Sequence, residues 1–124
     1  MDKWRIATTD DFDEWFTGLE TGAQVEVIAK VELLRTLGPG LRRPHADTLN
    51  GSRHSNMKEL RADTASAVMR IAFAFDPGRM AILLCAGDKA GVSQKRFYQQ
   101  LIDRADRLYD AHLARLKMRK KSKG

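Results

Sequence analysis

The chain has 124 residues, 43% of them hydrophobic, enough for one compact domain with a modest core and too few for two. No apolar run approaches the roughly 20 residues needed to cross a bilayer, and "MDKWRIATTDDFDEWF" is acidic where a signal peptide would be cationic and then apolar, so a cytoplasmic, unexported protein is expected. The net charge of +6 is polarised: residues 1–38 hold 4 Lys/Arg against 8 Asp/Glu, and residues 39–124 hold 18 against 8.

Such a basic excess favours a polyanionic partner, and nucleic acid before membrane, because no strongly basic amphipathic helix with an aromatic face is apparent. Cys85 is the only cysteine, so no internal disulfide can form. Its apolar setting, "AILLCAG", suits a buried thiol better than a nucleophile.

In chain order, "KWRIA" (3–7) alternates polar with apolar and reads as a short strand. Thr9 or Asp10 can cap a helix over about 10–19 whose acidic first turn suits the positive end of the helix dipole. Val27, Val31 and Leu34 repeat at helical spacing in 24–37, and "GPG" ends that helix. Residues 41–56 are rich in turn formers and basic, which predicts an irregular loop. Strands follow at 57–62, 67–76 and 79–86, the last two joined by the turn "DPGR".

Alternation in "VMRIAFAFD" places Met69, Ile71, Phe73 and Phe75 on one face and Val68, Arg70, Ala72 and Ala74 on the other. The bulky face should meet the helices. Leu60 marks the packed side of "MKELR", so Arg61 should share the open face with Arg70. A long amphipathic helix (94–116) carries Tyr98, Leu101, Ile102, Ala105, Leu108, Tyr109 and Leu113. A basic, flexible tail (117–124) should follow a single domain of 1–116. The expected fold is α+β: a small twisted, mainly antiparallel sheet in the order β-α-α-β-β-β-α, with helices packed on one face.

This order, with "LRRPHADTLNGSRHSNMKELR", "RIAFAFD" and "AILLCAGDKAG", resembles the RelE/ParE superfamily of bacterial toxins, nearest the HigB-type, phage Gp49-like branch. The resemblance covers most of the chain and is densest in the strand block. It implies the toxin of a type II toxin-antitoxin system: an endoribonuclease that cuts mRNA on the ribosome without a metal and is neutralised by a HigA-like helix-turn-helix antitoxin. Carried over by position, Arg61 matches the arginine closing the "ELR" strand, Arg70 that of the next strand, and Lys89 the basic residue after the last strand. "GVSQKRFYQQ" lacks the "TP" helix start of many Gp49-like members, so nothing is carried to Lys95 or Arg96.

Attack of a ribose 2′-hydroxyl on the adjacent phosphate builds negative charge on phosphorus, which fixed guanidinium forks can meet. Arginine cannot serve as the base, so proton transfer falls to Lys89, to His54 if the basic loop folds over the sheet, or to the ribosome and the RNA. Arg42, Arg43, Arg53 and Lys58 are candidate phosphate contacts. The plainer alternatives are surface pairs of Arg61 with Glu59 or Asp63 and of Arg70 with Asp76. His45 and His54 could equally be turn-bonding residues and His112 a packing residue. Tyr98 resembles a tyrosine that some relatives use, but its spacing favours the core. Trp4, Phe12 and Trp15 read as core or antitoxin contact. The histidines and Cys85 lack metal-ligand spacing, so no metal and no cofactor are expected. Two other functions fit the same residues: a ParE-like gyrase poison, and a non-catalytic module binding nucleic acid or a partner protein.

Overall fold

The structure is a computed structural model that describes residues 3–123; residues 1, 2 and 124, at the ends of the expected domain and tail, lie outside it. The elements are β1 (Arg5–Thr8), α1 (Asp10–Thr17), α2 (Thr21–Leu37), β2 (Ala46–Thr48), β3 (Met57–Asp63), β4 (Val68–Phe75), β5 (Met80–Asp88) and α3 (Gln94–Lys123). A 3-10 turn, Gly38–Gly40, closes α2. Thr9 caps α1, its side chain accepting from the Phe12 N–H at 3.1 Å, and Asp10, Asp11 and Asp13 fill the first turn.

The sheet runs β1-β5-β4-β3-β2. β1 lies parallel to β5, and all other neighbours are antiparallel. The turn Asp76–Arg79 joins β4 to β5, with Arg79 at φ 63° and the Arg79 N–H donating to the Asp76 carbonyl at 3.0 Å. β2 is an addition to the expected strands. It arises inside the basic loop, where Ala46 and Thr48 pair with Leu60 and Lys58.

The alternation in β3 and β4 is as expected, but the placement of the helices is not. α1 and α2 bury Phe12, Val27 and Leu34 against Leu60, Met69, Ile71, Phe73 and Leu83. α3 covers the opposite face, with Phe97, Leu101, Ile102, Ala105 and Tyr109 on Met57, Ala72, Ala74, Ile82 and Cys85. The small residues of β4 therefore form a shallow bed for a helix, and the sheet is covered on both faces, not on one. Two separate cores result.

A bulge between Ala72 and Phe73 of β4 and their partners on β5 leaves Leu84 as the extra residue. After it, Gly87 stands directly across from Arg70, and a Cβ at Gly87 would lie 3.0 Å from the Phe97 ring. The bulge thus keeps a side-chain-free position beside Arg70 at the start of α3. α3 itself passes the expected end at Leu116 and continues through the basic tail to Lys123, since Lys and Arg are good helix formers and no breaker intervenes. Cys85 is buried under α3, and burial pushes its thiol up to about 11, so it stays protonated and inert as expected.

Gly38 sits at φ 53°, ψ −134°, and a Cβ there would fall 2.2 Å from Trp4 Nε1. The close approach fixes Trp4 between the end of α2 and Phe75, 5.2 Å away between ring centroids. Gly38→Ala is expected to lose about 3 kcal/mol through strain and the clash, read as a lowered midpoint in urea denaturation, whereas Gly40→Ala, where a Cβ meets open space, should change it far less.

Candidate functional site

Arg61 and Arg70 stand directly opposite on β3 and β4. Like charges in that relation repel unless something stands between them. Glu59, two residues before Arg61 and so on the same face, supplies the counter-charge. Its Oε2 accepts from Arg61 Nε at 3.3 Å and Nη2 at 3.1 Å, and its Oε1 lies 3.7 Å from Arg70 Nε. The remaining bond comes from α3: the Tyr98 hydroxyl donates to Glu59 Oε1 at 2.7 Å.

The two arginines are not equivalent. Arg70 is 6% exposed, its Nη1 donating to Asp63 Oδ1 at 2.6 Å and to the Met69 carbonyl at 2.8 Å. Its expected role as an open phosphate ligand is thereby corrected, because α3 covers the face on which it stands. Nor does it pair with Asp76, which bonds His112 at 2.8 Å. The Arg61 side chain keeps 29% of its surface and reaches a hollow of about 340 Å³ that also meets Asp47, Glu59, Lys89, Gln94 and Tyr98. Lys89, held just past β5 by its N–H donating to the Val68 carbonyl at 2.9 Å, places Nζ 5.4 Å from the Tyr98 ring centroid.

The electrostatics follow from these contacts. Burial opposes the Arg61 charge, but the hydrogen bond and charge of Glu59, with Asp47 behind it, outweigh this and hold the guanidinium above its usual range. Burial, reinforced by Glu59, pushes the Tyr98 phenol up to about 12 against the pull of Arg70. The hollow therefore brings a permanent cation and a neutral phenol together beside Lys89, groups that can stabilise charge and donate a proton at a phosphate. Both Glu59 oxygens are engaged.

A second hollow, of about 500 Å³, lies on the other side of β2 and is lined by Leu41, Arg42, Arg43, Asp47, Thr48 and Lys58. Three of the four expected phosphate contacts thus come together. Arg53 does not join them. It pairs with Asp110 of α3, as does His54, whose Nε2 lies 2.7 Å from Asp110 Oδ1. Hydrogen bonding from His54 and then from Arg53 holds the Asp110 carboxyl below the usual range. The His54 ring packs 4.8 Å from Tyr109, which is eleven residues beyond Tyr98 and hence about 16 Å along the helix. His54 is corrected from catalytic candidate to a clamp between the loop and α3. His45 meets Lys30 of α2 at 2.9 Å and lies off the site as well.

Two site residues, Glu59 and Tyr98, exceed the sequence expectation. Glu59 was legible as the same-face neighbour of Arg61. The spacing of Tyr98 predicts a core position, and only its place in the first turns of α3 brings its hydroxyl over the sheet.

The chain matches the family described as "Phage derived protein Gp49-like" over residues 14–110. It is 42% identical over 124 residues to HigB2, a candidate toxin of Mycobacterium tuberculosis, covering 95% of this chain and 61% of the relative; it thus spans about three-fifths of that relative's length. It is 46% identical over 102 residues to HigB3, another candidate toxin of the same organism, covering 82% of this chain and 87% of the relative. Among solved structures it is similar to a double arginine-to-alanine mutant of the Escherichia coli toxin RelE in the free state, with a TM-score of 0.59, 8% identity and coverage of 81% and 94% of the two chains. At that identity the likeness is one of fold.

Arg70→Ala breaks a buried pair and is expected to cost about 3–5 kcal/mol in urea denaturation, whereas Arg61→Ala should cost about 1 kcal/mol or less. In an NMR titration of ring-labelled tyrosine, Tyr98 should titrate at about 12 and move down in Glu59→Gln. Because its folded value lies above the unfolded one, the stability it adds is complete below about pH 10 and lost as the pH rises toward 12.

Proposed function

The chain belongs to the phage-derived Gp49-like family, in the HigB-type branch of the RelE/ParE superfamily, and from that premise we propose that it is the toxin of a type II toxin-antitoxin system. It acts in the cytoplasm as a metal-independent endonuclease on mRNA engaged by the ribosome. A HigA-like helix-turn-helix antitoxin neutralises it. The observation that carries this reading is the convergence of Arg61, Lys89 and Tyr98 on one open hollow backed by the buried Glu59–Arg70 pair.

In the reaction the ribose 2′-oxygen forms a bond to phosphorus as the bond to the 5′-oxygen of the next nucleotide breaks. Arg61 and Lys89 take the negative charge that gathers on the non-bridging oxygens. Tyr98, a neutral phenol across the physiological range, turns its one proton from Glu59 to the departing 5′-oxygen. Glu59 holds Arg61 and Tyr98 in place, and Arg70 holds Glu59. Neither is catalytic in the narrow sense. The proton of the 2′-hydroxyl goes to a group on the ribosome-bound RNA, since both oxygens of Glu59 are already bonded to Arg61 and Tyr98. No helix among the described residues is long and apolar enough to cross a membrane.

Induced expression should arrest growth with mRNA cut within translated regions, mapped by primer extension, and purified chain should leave free RNA nearly intact. Arg61→Ala should lower the cleavage rate by about a hundredfold or more, and Tyr98→Phe by a similar factor. Growth arrest with intact message and an induced DNA-damage response would overturn the nuclease reading.

A further inference from the structure

We propose that the two hollows flanking β2 form one track for the phosphodiester backbone of single-stranded RNA, and that Asp47 closes this track in the free protein by standing in for a phosphate between Arg43 and Arg61. The inference deepens the reading of the chain as an RNA-cutting toxin and rests on it.

Asp47 and Thr48 line both hollows, so only the three-residue edge strand β2 divides them. One oxygen, Asp47 Oδ2, accepts from Arg43 Nε at 2.7 Å and lies 2.7 Å from Arg43 Nη2 and 3.4 Å from Arg61 Nη2. The other, Oδ1, accepts from the Thr48 N–H at 2.9 Å. An anionic oxygen shared by two guanidinium groups is how a backbone phosphate oxygen would sit at that point. The hydrogen bonds from Arg43 and then Thr48 hold the carboxyl below its usual range, so it remains charged at physiological pH and yields to a competing anion, not to a proton.

The exchange is cheap. The Arg43 side chain is 76% exposed, and a pair this open to water contributes little to stability. The lining also has a simple charge pattern. Arg42, Arg43, Lys58, Arg61 and Lys89 face two carboxylates, Asp47 and Glu59. Glu59 is buried and committed to Arg61, Arg70 and Tyr98, which leaves Asp47 as the removable anion. With Asp47 displaced, the two linings hold five cations against one carboxylate, Glu59, which is already committed. The carboxylate keeps Arg43 and Arg61 neutralised against adventitious polyanions and gives way to a backbone that fills both sides of β2 together.

The test measures binding apart from cleavage. A labelled 2′-O-methyl oligonucleotide, which lacks the attacking hydroxyl, is titrated by fluorescence anisotropy at several salt concentrations. Asp47→Asn should bind about tenfold more tightly than wild type, with a log–log salt slope steeper by about 0.7, one more phosphate contact on a single strand. Asp103→Asn, on an exposed face of α3, makes the same charge change and should gain much less. Arg43→Ala should weaken the wild type and cancel the gain of Asp47→Asn. Equal gains at positions 47 and 103, an Arg43→Ala variant that binds as wild type does, or no binding by any variant would overturn the proposal; the Arg43 arm stands even if Asp47→Asn fails to fold. A chain that shows the specific gain yet never cuts translating mRNA would overturn the nuclease reading alone, and one that cuts without the gain would overturn the track alone.

Discussion

A buried carboxylate holds this molecule's sheet and its last helix to a common arrangement. Glu59 receives Arg61 from its own strand, faces Arg70 from the next, and accepts a hydrogen bond from Tyr98 on α3. Removing the charge of Glu59 or of Arg70 would leave the other in a dry setting, where an unpaired ion is far costlier than a surface one. The opposed arginines, unfavourable by themselves, become the reason that β3, β4 and the start of α3 must be placed together. The hollow beside them is a by-product of that requirement.

The division of the core into two layers serves the same end. One layer is thick, built from Leu60, Met69, Ile71 and Phe73 beneath α1 and α2. The other is thin, with Ala72 and Ala74 letting α3 approach closely. Gly87 across from Arg70 lets the Phe97 ring of α3 approach β5 closely, and the Leu84 bulge sets the phase that puts glycine there. Packing, register and charge placement are thus solved in one short region.

The part of the fold legible in the sequence is the part governed by local periodicity. The alternation of β4, the Thr9 cap, the "DPGR" turn and the shared face of Arg61 and Arg70 each depend on residues only a few positions apart. What was not legible depends on distant choices. Alternation identifies the two faces of a strand but not which one a helix about twenty residues further along will cover, and α3 covers the face opposite to the bulky one. From that follow the burial of Arg70 and the reach of Tyr98 to Glu59. His54 looked catalytic because its loop was free in the sequence; in space Asp106 and Asp110 of α3 tie that loop down through Ser52, Arg53 and His54. β2 escaped notice because three residues show no period.

The continuation of α3 through its basic end alters what that end can do. Arg115, Lys117, Arg119, Lys120 and Lys121 all lie within α3. At 1.5 Å per residue, Lys121 stands about 35 Å along the axis from Tyr98. The helix therefore sets its outer end at a fixed span from the hollow at Tyr98, a span that a coil would leave variable.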